Sequence, residues 1–298
     1  MAIGLITVND QTMVEDVTDL ITNVDYESTP FYSALAEAQA TNTLHQWLVD
    51  SYASSADNAQ AEGYTAAYTD ITAPTRSTNI VQLFGKEVRV SNTEQRVAHY
   101  GTDPYTYQLK KKMTELARDI EKALVAGTRA SGDSGVARRL NGAIAMITTN
   151  KTARNSGTSL SETEFNDILQ GIYDNGTDIS VDKAFAGASL KRAISGYTAG
   201  STKFTDAEGK KLYNSVGVYE SDFGVVSIHL EREVPTTAGN KGILAVDSSK
   251  WRVAYLTDGR PQHIPQGLSG SAKNGIVETE LTLEALNQKS SAYRVGYI

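Results

Sequence analysis

Between Ser51 and Ala73 the chain is made of Ala, Ser, Asp, Gly and Thr, with Tyr52, Tyr64 and Tyr68 set into it and no apolar periodicity. Such a segment has little to bury and cannot offset the entropy of its own ordering. Yet it lies between two stretches that read as strands. Thr43–Asp50 alternates around Leu44, Gln46, Leu48 and the large Trp47, and Thr75–Ser91 runs through Asn79-Ile80-Val81-Gln82-Leu83-Phe84 and Lys86-Glu87-Val88-Arg89-Val90. Strand, long polar tip and returning strand describe an extended two-stranded arm. An isolated hairpin of this kind is marginal in water, so a chain that keeps one needs something to lay it on. The other reading of the tip is a mobile surface loop.

The arm is followed by the longest helix of the chain, predicted over residues 103–127. Asp103 is a good N-cap, Pro104 suits the first helical position, and Gly127 is the stop. Leu109, Met113, Leu116, Ile120, Ala123 and Leu124 form one apolar stripe. Lys110, Lys111, Lys112, Glu115, Arg118, Glu121 and Lys122 are assigned to the opposite, solvent-facing side.

Elsewhere the pattern alternates without regular βαβ order. Short helices are predicted over Thr12–Thr22 and from Pro30 to about Ala38, and Leu140–Thr149 reads as a strand. The polar run Thr149–Thr158 reads as a loop. Ser161-Glu162-Thr163-Glu164 is a capping box that opens a helix with the stripe Phe165, Ile168, Leu169 and Ile172, closed by Asn175-Gly176. Ala184-Phe185-Ala186 is a strand entering a helix at Ser189–Ile194. Six further strands are expected at Val216–Glu220, Gly224–Leu230, Gly242–Asp247, Trp251–Thr257, Gly275–Leu286 and Ala292–Tyr297. The class is α+β.

Composition removes several functions. The chain has no cysteine, so disulfides and thiolate metal sites are excluded. Its net charge of −7 argues against a surface built to grip nucleic acid, though not against an acidic wall that contains it. No run approaches the roughly 18 apolar residues of a membrane span, and the N-terminal residues lack the basic start of a secretory signal. Tyrosine is over-represented, with 15 Tyr against 6 Phe and 2 Trp, which suits either half-buried interfaces or ordinary strands.

Catalytic motifs are weak. Gly132-Asp133-Ser134-Gly135 copies part of a serine-protease nucleophile motif, but His45 and His99 lack the surroundings of its base, and a turn is the better reading. The four histidines, His45, His99, His229 and His263, have no metal-ligand spacing. Glu278 and Glu280 share a strand face that reads as solvated. No catalytic residue, metal or cofactor is expected.

The order of elements, an N-terminal arm, an extended loop, a spine helix, then a mixed compact region, resembles the Hong Kong 97 fold of tailed-phage major capsid proteins, shared by encapsulins. The local sequences that carry the resemblance are Thr29-Pro30-Phe31, His45-Gln46-Trp47 with Asp50, Arg138-Arg139-Leu140-Asn141-Gly142, Tyr219-Glu220-Ser221-Asp222-Phe223-Gly224, and Glu280-Leu281-Thr282-Leu283-Glu284 with Asn287. The resemblance implies an N-terminal arm at 1–42, an extended loop at 43–90 and a peripheral domain at 91–179 containing the spine helix. An axial domain at 180–270 follows, and return strands of the peripheral domain at 271–298.

It also implies a structural, non-enzymatic role: self-assembly through hexamers and pentamers into an icosahedral head around double-stranded DNA, in a virion made in the bacterial cytoplasm. The alternative is an encapsulin-like compartment shell. Trp47, Tyr52, Tyr64 and Tyr68 become inter-subunit contacts of the extended loop. Portal and scaffolding proteins, a decoration protein and non-specifically held DNA are the other implied partners, with no membrane. Some members of the fold crosslink through an extended-loop lysine, but no Lys lies between Thr43 and Gly85, so association is expected to be non-covalent. The stretch ahead of the loop is too short for a cleaved scaffolding segment, which implies a separate scaffold or prior processing.

Overall fold

The structure, a computed structural model, describes residues 28–66, 68, 70–98, 103–133, 135–175, 181–197, 217–267 and 270–298. The helix expected over Thr12–Thr22 lies outside them, as do His99 and Ser134. Pro30 starts helix α1 (Pro30–Ala34), but the helix stops at Ala34 and not near Ala38. Leu35 turns to an extended conformation and strand β1 (Ala36–Ala40) follows. Its Ala-Glu-Ala-Gln-Ala sequence favours a helix locally. The ladder to a strand more than 200 residues later, Ala36↔Arg252 through Ala40↔Leu256, overrides that preference.

Strands β2 (Leu44–Val49) and β3 (Thr75–Ile80) form the expected antiparallel pair, from Leu44↔Ile80 to Val49↔Thr75. Strand β4 (Gln82–Ser91) leaves that pair after Val81 and joins another sheet. The long helix α2 (Pro104–Ala126) is capped as expected, with the Thr106 N–H donated to Asp103 Oδ2 at 3.0 Å and the Gly127 N–H to Ala123 O at 2.9 Å. Leu116, Ile120, Leu124 and Val125 are buried, while Met113 is 42% exposed. Glu121 departs from the sequence reading: it lies inside the protein, only 2% exposed, because two backbone amides and a second carboxyl meet it there.

Leu140–Thr149 holds helix α3 (Ala143–Met146) and not a strand. The fully buried residues Leu140, Ala143 and Ile147 are spaced three and four apart, which is helical spacing. Close approach fixes the preceding turn, since a Cβ on Gly142 would sit 2.5 Å from the backbone nitrogen of Gly127. The polar run expected as a loop is strand β5 (Lys151–Thr158). The capping box acts as expected at helix α4 (Glu162–Asp174): Ser161 Oγ accepts the Glu164 N–H, and Phe165, Ile168, Leu169 and Ile172 are all buried.

Strand β6 (Lys183–Ala186) leads into helix α5 (Ala188–Ser195). The rest is strand: β7 (Val218–Ser221), β8 (Gly224–Leu230), β9 (Lys241–Val246), β10 (Trp251–Leu256), β11 (Gln262–Gln266), β12 (Ala272–Ala285) and β13 (Ala292–Tyr297). Strand β11 is absent from the sequence reading. It contains Pro265, which a strand at the edge of a sheet tolerates.

Two sheets organise these elements. In the first, β12 is long enough to carry β10 and β11 end to end on one edge and β4 on the other, and β1 extends the sheet beyond β10. In the second, the order is β5-β13-β9-β6-β8-β7. Its central strands are buried on both faces, which explains their unbroken apolar runs. Ile243 and Ala245 of β9 face α4 and α5, whereas Leu244 and Val246 face the larger core that includes Phe31, Leu116, Ile120, Trp251 and Leu283. Sheet membership changes near Ser248 and again near Ser291. Strands β10 and β11 belong to the first sheet, and β5 and β13 to the second. Among the described residues, no helix is long and apolar enough to cross a membrane.

Candidate assembly surface

The arm has two parts with different physics. Its base is fixed from several directions. The Trp47 indole N–H donates to Ala285 O at 2.8 Å, and the ring is 9% exposed. His45 packs beside that ring, 5.6 Å between centroids, with Nε2 3.7 Å from a Glu284 oxygen. Asn79, fully buried on β3, donates to Asn141 O at 3.0 Å and Leu283 O at 2.8 Å, and its carbonyl oxygen accepts the Asn141 N–H at 2.8 Å. Thr282 Oγ1 donates to Ile80 O at 2.9 Å. One asparagine therefore ties β3 to both the loop after α2 and strand β12.

Asn79→Ala would remove the partner of two carbonyls, Asn141 and Leu283, and of two amides, Ile80 and Asn141. At about 1 kcal/mol or more for each unsatisfied group, we expect a loss of about 4 kcal/mol. Urea unfolding of the variant measures it, and a loss below about 1 kcal/mol would refute the assignment.

Between Val49 and Thr75 every described residue is exposed. Tyr52 and Tyr68 are fully exposed, Ile71 is 96% exposed and Tyr64 60%. Gly63, at φ +82°, makes the turn near the tip, where a side chain would strain the backbone. From Asp50 to that turn an extended leg reaches at most roughly 40 Å. The outward face of β2 adds Leu44 and Leu48, the latter 67% exposed. Several large apolar side chains exposed along one segment are unusual on a protein surface.

The structure thus separates the four residues that the sequence groups together. Tyr52, Tyr64 and Tyr68 project from the arm. Trp47 does not; it is part of the chain's own core, because the β2 face that carries it, His45 and Val49 packs inward while Leu44 and Leu48 point out. Its role is to anchor the arm. Asn79 is the functional residue that the sequence reading misses, since a lone Asn in an apolar strand is the only signal of it.

The remaining chemistry-bearing residues have structural surroundings. His263 Nε2 is 2.9 Å from the Tyr105 hydroxyl, His229 stacks on Phe185, and Glu280 pairs with Arg138 at 3.7 Å. Among the described residues, no group of three His, Asp or Glu is placed to hold a metal ion.

The chain matches the family model of the SU10 major capsid protein over residues 4–295. It is 36% identical over 103 residues to a major capsid protein of Escherichia phage Phieco32, a match covering 34% of this chain and 29% of that protein. Among solved structures, it is similar to the capsid of a native GTA particle, with a TM-score of 0.69 at 12% identity and 96% of each chain covered. It is also similar to a chain of Mycobacterium phage Adephagia, at 0.62, 13% identity and 98% and 97% coverage. A third likeness is to the SrpI encapsulin complex of Synechococcus elongatus, at 0.62, 11% identity and 95% and 92% coverage. With a packed body, an exposed arm, a capped long helix and a family match across nearly its whole length, the chain belongs to the SU10 major capsid protein family and has the Hong Kong 97 fold.

Proposed function

We propose that the chain closes into hexamers and pentamers of an icosahedral phage head, each copy laying residues 50–74 over a neighbour. The observation that carries this is the contrast within the arm, whose base is bonded into the core while its tip holds Tyr52, Tyr68 and Ile71 in solvent. Ordering that tip becomes favourable only when a second surface covers it. In this reading α2 and the first sheet form the peripheral part of the subunit, and the second sheet with α4 and α5 the axial part. Contact alone holds the copies together in this reading, because no lysine lies between Thr43 and Gly85. The role is structural and not catalytic. A separate scaffold, a portal and a decoration protein complete the assembly, and a net charge of −7 suits a wall that encloses DNA without pinning it. The encapsulin likeness, at 11% identity, concerns the fold, whereas the family match is to phage capsids.

Electron microscopy of the purified full-length chain over a range of concentrations tests the proposal. Closed shells, tubes or sheets of hexamers are expected. A monomer that persists at high concentration, with and without co-expressed scaffold, would overturn it.

A further inference from the structure

Two carboxyl groups lie inside the protein where three segments meet. Glu121 comes from α2 and is 2% exposed; Glu231, just after β8, is 3% exposed. Glu121 accepts the Phe31 N–H through Oε1 and the Tyr32 N–H through Oε2, both at 2.7 Å. Those amides belong to the first turn of α1 and have no partner within that helix, so a side chain of α2 caps α1. Glu231 is held by its backbone, whose N–H donates to Ala186 O at 3.0 Å, and its Oε1 accepts the N–H groups of Arg232 at 2.8 Å and Glu233 at 3.0 Å. Its Oε2 is buried and has no donor among the described residues, and the Glu121 carboxyl is within hydrogen-bonding reach of the Glu231 side chain.

Two ionised carboxyls in contact away from water repel each other strongly, whereas one proton between them converts the contact into a short charge-assisted hydrogen bond. It also supplies the donor that Glu231 Oε2 lacks. We propose that Glu121 and Glu231 share a single proton, and that this acid pair is a pH-sensitive latch fastening α1 and α2 to the turn after β8. The latch is a property of the single subunit and does not depend on the shell reading.

The direction of the pH response follows from burial. Loss of solvent, reinforced by the Glu231 carboxyl and opposed by the two amides, pushes Glu121 from its ordinary 4.5 up to about 9. Between those values the closed latch keeps a proton that an opened one releases. The latch is therefore most stable below about 4.5, weakens as pH rises through the window, and weakens no further above about 9.

Other titratable groups lie on the surrounding elements. Tyr32 of α1 turns its hydroxyl to Tyr255 of β10, 2.5 Å away. His229 of β8 stacks on Phe185, and burial with nearby Lys183 and Lys191 lowers its pKa, so it titrates on the acid side of 6.5. On the turn Arg232 is exposed and Glu233 half-buried; on α2 Lys122 is exposed and Arg118 half-buried.

Glu231→Gln tests the proposal in the full-length protein. The amide oxygen can keep both backbone N–H bonds, and the amide nitrogen can donate to Glu121 without a titrating proton. Hydrogen exchange of the Phe31 and Tyr32 amides is measured from pH 6 to 9 and corrected for the intrinsic base-catalysed rate. In the unaltered protein their protection is expected to fall by up to about tenfold per pH unit, and in Glu231→Gln, where the Glu231 carboxyl no longer raises Glu121, it is expected to fall less steeply. Parallel pH dependences in the two proteins would overturn the proposal. If the variant does not fold, infrared spectroscopy of the unaltered protein at pH 7.5 decides: a protonated-carboxyl C=O stretch supports the shared proton, and its absence overturns it.

Discussion

Deleting Ser51–Ala73, with an Asn-Gly pair inserted so that the chain can turn, is expected to leave a folded subunit that no longer builds closed shells. The body does not depend on the deleted residues. The β2–β3 ladder ends at Val49↔Thr75, and every contact that fixes the base of the arm lies on the body side of that pair. An Asn-Gly turn suits a tight antiparallel connection, and a shorter loop lowers the entropy cost of closing it. Thermal stability should therefore stay within about 1 kcal/mol of the parent or rise slightly. What disappears is the ribbon bearing Tyr52, Tyr64, Tyr68 and Ile71. Circular dichroism and electron microscopy of the same sample read the two halves of the prediction separately. Normal particles would defeat the proposed role of the arm, and an unfolded product would show that the tip supports the subunit itself.

Trp47→Ala is expected to have the opposite signature: a large loss of subunit stability with the arm residues untouched. The indole packs among the buried residues of the larger core, and truncating a buried Trp costs about 3–5 kcal/mol. Trp47→Phe retains most of the ring area but loses the N–H bond to Ala285 O, so it should cost less, with about 1–3 kcal/mol from the unsatisfied carbonyl alone. Denaturant midpoints of the two variants rank these contributions. If Trp47→Ala unfolds at the parent midpoint but assembles poorly, the indole faces a neighbour after all.

How well the sequence reveals each element depends on where its partners lie. Helices α2 and α4 carry their own start and stop signals in Asp103-Pro104, Gly127 and Ser161-x-x-Glu164, so short-range chemistry is enough to locate them. The central strands β6, β9 and β10 announce themselves by compact apolar runs. Strands β1, β5 and β11 do not. Each joins a strand by a ladder, and β1 and β5 find theirs more than 100 residues away. Their own residues suggest a helix, a polar loop and a proline-broken segment. Glu121 is the same problem on a smaller scale. On a helical wheel it belongs with the lysines around it, and only the α1 amides and Glu231 explain why it is inside. In the arm, the lack of anything to bury correctly marked the exposed tip. Residue type alone could not say that Trp47 faces the body while its neighbours Gln46 and Leu48 face out.

The contacts at the base of the arm join residues very far apart in the chain, Trp47 to Ala285 and Asn79 to Leu283. Closing loops of that length comes late in folding. The ribbon therefore gains a fixed direction only after β12 has joined the first sheet, which itself needs β4 and β10 in place. On the same reading, a half-folded copy would carry its exposed tip on a slack tether, unable to hold it in register against a neighbour. On the proposed role of the arm, the wiring of one sheet would act as a checkpoint in time, admitting to the growing shell only copies that have finished folding.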